Sequence, residues 1–271
     1  MAGQLLRDHP ADGVLRLTIS NPGKLGALDH PILDALAAAV TEACAADHDG
    51  PPIRAILLTG TDGRFSSGYD LGELAAGPAD VFAEQAEALV AHPFTAAIDA
   101  VEACTLPTIA ALPGHAMGGG LELALVCDLR IAADHIRLAM PPAKLGLVYS
   151  HTGLRRFVDA IGSPRTRELF LLGRAIDPGT ALAWGLVNRV VPAAELDAAA
   201  LDLASGLAAG APLAQRGNKR ALRALLDAEG ALPADVEEEL LALRRASFVS
   251  EDLLEGVRAF AEKRPPEWRG R

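Results

Sequence analysis

Short apolar runs closed by glycine or polar residues alternate with longer helical patterns through the first half of the chain, as expected of strands packed against helices. Val14 to Ile19 predicts a strand. Asp29, His30 and Pro31 supply a helix start, with proline tolerated near the first helical position, and Ile32 to Ala46 predicts the helix. Ile53 to Thr59, closed by Gly60, predicts a buried strand. A helical stretch from about Ala79 to Ala103 precedes a third such run, Thr108 to Leu112. Gly118, Gly119 and Gly120 open a segment, Leu121 to Cys127, whose leucines and alanines suit a buried helix, and Leu129 to Ala132 predicts a further strand. Beyond residue 150 the pattern is helical, with breaks at Gly162-Ser163-Pro164, Asp177-Pro178-Gly179, Gly210-Ala211-Pro212 and Leu232-Pro233.

The 271 residues can bury a full core, and no internal repeat or low-complexity linker requires independent domains. An α/β core over 1–195 followed by a helical region over 196–271 is therefore expected. No run of about 18 uninterrupted apolar residues is available to span a bilayer. Arg7, Asp8 and His9 stand where a signal peptide needs an apolar stretch, so a cytoplasmic protein is expected. The net charge of −10 disfavours nucleic-acid binding, which needs a basic surface. Cys44, Cys104 and Cys127 lie far apart without Cys-x-x-Cys spacing and indicate neither a disulfide framework nor a metal site; they read as small buried apolar residues.

Motifs for nucleotide hydrolysis, hydride transfer and zinc hydrolysis are absent from the sequence. The glycines at 118–120 remain as candidate chemistry. Without side chains they let a ligand approach the backbone, and free amides at a helix N-terminus favour negative charge. Such a place can hold an oxyanion. Glu122, three residues after Gly119, falls on roughly the same helix face, either as a proton carrier or as a first-turn carboxylate facing the dipole. Arg64-Phe65-Ser66-Ser67-Gly68-Tyr69-Asp70-Leu71, after the second strand, offers another backbone donor.

This last segment resembles the phenylalanine-small-small-glycine-x-aspartate motif of the crotonase, or enoyl-CoA hydratase/isomerase, superfamily. Asn21 to Leu28 is similar to its N-terminal Asn-Arg-Pro-x-x-x-Asn-Ala-Leu stretch, with Gly26 replacing an asparagine. Gly114 to Ala124, ending in Cys127-Asp128, resembles its central glycine motif, and Ala183 to Val187 and Ala259 to Arg264 match later signatures. The likeness runs from about residue 13 to 265 and implies the ClpP/crotonase-like α/β fold, a spiral of β-β-α units with C-terminal helices that assemble a trimer or dimer of trimers. It also implies that the amides of Ser67 and Gly119 form an oxyanion hole for an acyl-coenzyme A thioester, with Glu122 as the first of the hydratases' two glutamates. The coenzyme is part of the substrate, and no separate cofactor is expected. Its phosphates and adenine are expected near Lys24 and the loop of Gly68, Tyr69, Asp70 and Leu71, with Phe260 and Lys263 contributing; Ala27, Ser66, Gly118, Pro141 and Pro142 complete the substrate-binding set.

The family's second glutamate normally follows an Ala-x-Pro run, which here reads Ala139-Met140-Pro141-Pro142. Water addition usually needs two carboxylates, and proline carries no proton. Met140 to Tyr149 is more similar to the methylmalonyl-CoA decarboxylase branch, whose active-site tyrosine falls on Tyr149, although that branch has a histidine where this chain has Tyr69. Decarboxylation needs a turned, desolvated carboxylate and a sink for the enolate rather than a base. Four readings follow: a decarboxylase-like lyase, a hydratase using Glu122 alone, a silent acyl-CoA binder, and a serine hydrolase. Ser66 and Ser67 lack the nucleophile-elbow context the last requires. His115 and His151 read as packed or surface histidines, His151 as a possible pocket neighbour of Tyr149.

Overall fold

The computed structural model describes residues 3–45, 52–70, 93–229 and 233–267. Leu71 and most of the helical stretch expected over 79–103 lie outside them. Among the described residues, eight strands, β1 (Gln4–Ala11), β2 (Val14–Ser20), β3 (Ala55–Gly60), β4 (Thr108–Leu112), β5 (Ala116–Met117), β6 (Leu129–Ala133), β7 (Leu138–Ala139) and β8 (Arg189–Val191), are joined by α-helices. The helices are α1 (His30–Cys44), α2 (Thr95–Ala103), α3 (Gly119–Leu125), α4 (His151–Leu172), α5 (Pro178–Trp184), α6 (Leu196–Ala208), α7 (Pro212–Glu229), α8 (Ala234–Phe248) and α9 (Glu251–Glu262).

The large sheet has the order β1-β2-β3-β4-β6-β8, antiparallel only between β1 and β2. Asp12-Gly13, with Gly13 at φ +72°, closes that hairpin in two residues. β3 and β4 are buried along almost their whole length, which explains their unbroken apolar runs. A second layer of short parallel pairings stands beside the sheet: Leu28 with Tyr69, Ser66 with Ala116, and β5 with β7. Each turn of the chain thus leaves one strand in the large sheet, one short extended stretch in the second layer, and then a helix. β2, β3, β4 and β6 each open such a unit, and this is the β-β-α spiral the sequence implied.

Asp29 caps α1, its carboxylate accepting from the Ile32 amide at 3.1 Å, as the Asp-His-Pro start predicts. The break expected at Gly162-Ser163-Pro164 is a kink inside α4, where Gly162 leaves helical geometry at φ +76°. α6, immediately beyond residue 195, packs across β1, β2, β3, β4 and β6 and buries Leu196, Ala200, Ala204 and Ala208 in the core. α9 lies on the turn Pro142–Leu145. No described helix is long and apolar enough to cross a membrane.

The second glycine of α3 meets the second layer directly. A Cβ on Gly120 would lie 2.5 Å from the Ser66 Cβ and 2.9 Å from the Ser66 carbonyl oxygen. Gly120→Ala should therefore push α3 off the Ser66 strand and cost about 1–3 kcal/mol. Urea unfolding checks this; an unchanged midpoint would mean that the contact yields without cost.

Candidate functional site

The two glycine-bearing segments meet at the N-terminus of α3. Ser66 is fully buried: its amide donates to the His115 carbonyl at 3.1 Å, its carbonyl accepts from Met117 at 3.0 Å, and its hydroxyl accepts from the Gly68 amide at 3.1 Å. It clamps the segments together and has no surface left for a substrate, contrary to the role inferred from sequence. The Ser67 amide donates to the Leu25 carbonyl at 3.2 Å and is thereby committed away from Gly119, so its expected oxyanion role is also corrected. The Leu28 amide donates to the Gly68 carbonyl and the Asp70 amide donates to the Leu28 carbonyl, so the pairing turns the N–H of Tyr69 to the opposite side of the strand. That side carries 116–119: a Cβ on Gly68 would meet the Met117 carbonyl at 2.8 Å and the Gly119 nitrogen at 3.5 Å.

Gly118 adopts φ +51° and ψ −125°, a conformation open essentially to glycine, and donates to the Ala139 carbonyl at 2.9 Å. The turn starts α3 so that the Gly119 amide is among the first-turn donors that find no partner inside a helix. Phe94 covers this point, since a Cβ on Gly119 would lie 2.9 Å from its ring, and the Phe94 ring meets Tyr69 edge-on at 6.3 Å between centroids. The Tyr69 hydroxyl lies 2.9 Å from His30 Nε2, and Lys24 Nζ lies 2.5 Å from Asp70 Oδ2. The loop holding Lys24, Ala27, Gly68, Tyr69 and Asp70 is thus one cluster, with Ala27 itself buried and its carbonyl accepting from Asn21 at 2.9 Å.

One turn into α3, Glu122 is 2% exposed and both of its oxygens are engaged. The Tyr149 hydroxyl donates to Oε2 and Arg156 Nη1 donates to Oε1 at 2.8 Å. Arg156 is in turn held by Glu102, with Nη2 2.6 Å from Oε2 and Nε 3.2 Å from Oε1. Burial pushes the Glu122 carboxyl above its ordinary range, against the opposing pull of Tyr149 and Arg156. Burial and the facing carboxylate raise the Tyr149 phenol well above its usual value. A carboxyl raised in the folded state favours folding most when protonated. Relative to Glu122→Gln, the wild type should lose stability as pH rises from below 4.5 through the raised value. Parallel unfolding curves of the two proteins between pH 4 and 8 measure this; a wild type that gains stability on the variant as pH rises would reverse the sign.

Glu122, Tyr149 and Arg156 line a cavity of about 160 Å³ together with Phe94, Thr95 and Ile98 from α2 and its entry, Leu147, Val148, Ser150, Thr152, and Arg244 from α8. Phe94, Arg156 and Arg244 were not foreseen from sequence. The described lining includes neither Pro141 nor Pro142: Pro142 is buried at the head of its 3₁₀ turn, and the Pro141 Cα lies 3.3 Å from where a Cβ on Gly173 would stand. Phe260 is 78% exposed and Lys263 ends α9 at φ +55°; neither lines this cavity. His151 faces Glu237 at 3.7 Å, while His115 Nδ1 accepts from the Arg137 amide at 3.0 Å, a structural role.

A crossed spiral with a helix N-terminus aimed between two close backbone segments, and a buried carboxyl one turn behind it, defines the crotonase class of α/β proteins. Residues 10–271 match the Enoyl-CoA hydratase/isomerase family, and the chain belongs to it. It is 37% identical to the carnitinyl-CoA dehydratase of Salmonella arizonae over 268 residues, covering 94% of this chain and 98% of that one. Among solved structures, a methylmalonyl CoA decarboxylase shares 30% identity over the full length of both chains with a TM-score of 0.86. A methylmalonyl CoA decarboxylase complexed with 2S-carboxypropyl CoA also superimposes with a TM-score of 0.86, at 29% identity.

Proposed function

We propose that this protein acts on an acyl-CoA thioester as a lyase of decarboxylase type. The observation that carries the reading is the state of Glu122, whose two oxygens are held by Tyr149 and Arg156 while position 142 is proline. A carboxylate fixed on both sides is a poor proton shuttle, and no second glutamate stands at the hydratase position. Tyr149 lines the cavity beside Glu122 and carries a hydroxyl that can donate to a substrate carboxylate.

In this scheme a malonyl-type carboxylate enters beside Tyr149, whose phenol turns from Glu122 to orient it. The bond from carboxylate to α-carbon breaks and carbon dioxide leaves. The released pair forms the enolate double bond, and the thioester oxygen takes the negative charge. The amides of Gly119 and Tyr69 face that oxygen and stabilise it. Glu122, kept close to the arginine, places negative charge near the departing carboxylate and favours its loss. A proton from solvent then returns to carbon.

A second reading, hydration with Glu122 as proton carrier, draws support from the raised carboxyl and from the dehydratase relative. Mass analysis of a panel of enoyl, hydroxyacyl, malonyl and methylmalonyl thioesters separates the two. Loss of carbon dioxide from a malonyl-type member is the expected result; gain of water by an enoyl member alone overturns it, and no change on any member leaves a binder without turnover.

The same proposal includes assembly. Leu222, Leu225 and Leu226 of α7 are 47–65% exposed and share one side of the helix, an apolar face that a second copy would cover. Light scattering at micromolar concentration should report a trimer or hexamer; a monomer would refute the assembly.

A further inference from the structure

The sequence separates Cys44 and Cys104 by 60 residues, yet their sulfurs lie 3.0 Å apart. Cys44 is the last residue of α1 and Cys104 caps the C-terminus of α2, and the two helices pack on each other. A disulfide sulfur pair stands at about 2.05 Å, so closure asks for roughly 1 Å of approach. The two thiols also differ in access: Cys44 is half-buried and Cys104 is 4% exposed.

We propose that Cys44 and Cys104 are a redox modification site, a thiol pair that a peroxide closes into a reversible crosslink between the ends of α1 and α2. The hydrogen bond from Cys104 pulls the Cys44 thiol down, and that same bond together with burial pushes Cys104 up. The outer sulfur is then the thiolate and the inner one keeps its proton. Cys44 attacks the peroxide oxygen; the O–O bond breaks, a sulfenic acid forms and hydroxide leaves with a proton from solvent. Cys104 then attacks the sulfenic sulfur, the S–S bond forms, and the hydroxyl leaves as water with the Cys104 proton. Two thiols are oxidised by two electrons and one peroxide is reduced to two waters. Cys127 is an internal control: its thiol is buried, pushed up to about 12, and bonded to the Leu123 carbonyl.

The crosslink bears on the cavity because α2 carries Thr95 and Ile98 into it and Glu102, two residues before Cys104, holds Arg156. The test uses the full chain treated with one equivalent of hydrogen peroxide, digested without reduction and mapped by mass. The expected product is a Cys44–Cys104 peptide pair, reversed by dithiothreitol, with Cys127 still free. Closing a long loop should also raise the unfolding midpoint by several degrees, about 2–4 °C per kcal/mol gained. In Cys104→Ser, Cys44 should instead accumulate as a sulfenic acid trapped by dimedone; in Cys44→Ser, Cys104 should stay reduced. Wild-type protein in which Cys44 is oxidised singly while Cys104 remains free, or whose crosslink lowers the midpoint, would overturn the proposal.

Discussion

Replacing Tyr149 by phenylalanine should lower turnover of a malonyl-type thioester by about 10- to 1000-fold, the range seen when a positioned active-site donor is lost. The ring packs edge-on against Phe170 at 5.4 Å, so the variant keeps its place and loses only the hydroxyl. Glu122→Gln should cost less, because glutamine preserves the shape and can still meet the phenol. Hydration chemistry demands the opposite order: with Pro142 unable to help, loss of the Glu122 carboxyl would nearly abolish water addition and Phe at 149 would be tolerated. Steady-state kinetics of both variants on the same substrate decide the matter, with coenzyme A binding as the check on folding. Full activity in both would sink both schemes and leave the oxyanion hole alone.

Arg156→Met should destabilise the fold by about 3–5 kcal/mol at neutral pH, the usual cost of stranding a buried charge. Arg156 is 17% exposed and its removal strands Glu122 at 2% exposure, with Glu102 losing its best partner on the other side. The loss should shrink in acid, where the stranded carboxyl takes a proton instead of a charge. Glu122→Gln placed on the Arg156→Met background should recover a large part of it, so the double-mutant cycle reports strong coupling. Equal and additive losses in urea unfolding would show that the ion pair is incidental to stability.

The parts of the fold that were legible were those where local pattern and burial coincide. β3 and β4 are apolar because both faces are covered, and Asp29-His30-Pro31 caps α1 by its own chemistry. β1 was missed because it is an edge strand with mostly exposed positions and a proline near its irregularity, so no apolar run marks it. β5, β7 and β8 span two or three residues, too few for any period to show. In the site, the motifs pointed to Gly119, Glu122 and Tyr149, and the structure brings Tyr149 onto Glu122 as one cluster. Which amide of the Ser67 segment faces Gly119 was not legible, because amide direction alternates along an extended backbone and a motif does not say which amide faces which side. Arg156 lies 34 residues from its partner, and Arg244 arrives from α8; neither leaves a local signal.

The cavity is walled partly by a segment made late in synthesis. Arg244 belongs to α8, and Ser247 accepts the Val148 amide at 3.1 Å, fastening the stretch before Tyr149 to that helix. The spiral of β-β-α units, by contrast, is assembled from residues preceding 192. The sheet and the pair of Glu122 and Tyr149 are thus made before α8, and a chain truncated ahead of Ala234 would lack the Arg244 wall and the Ser247 anchor that complete the cavity.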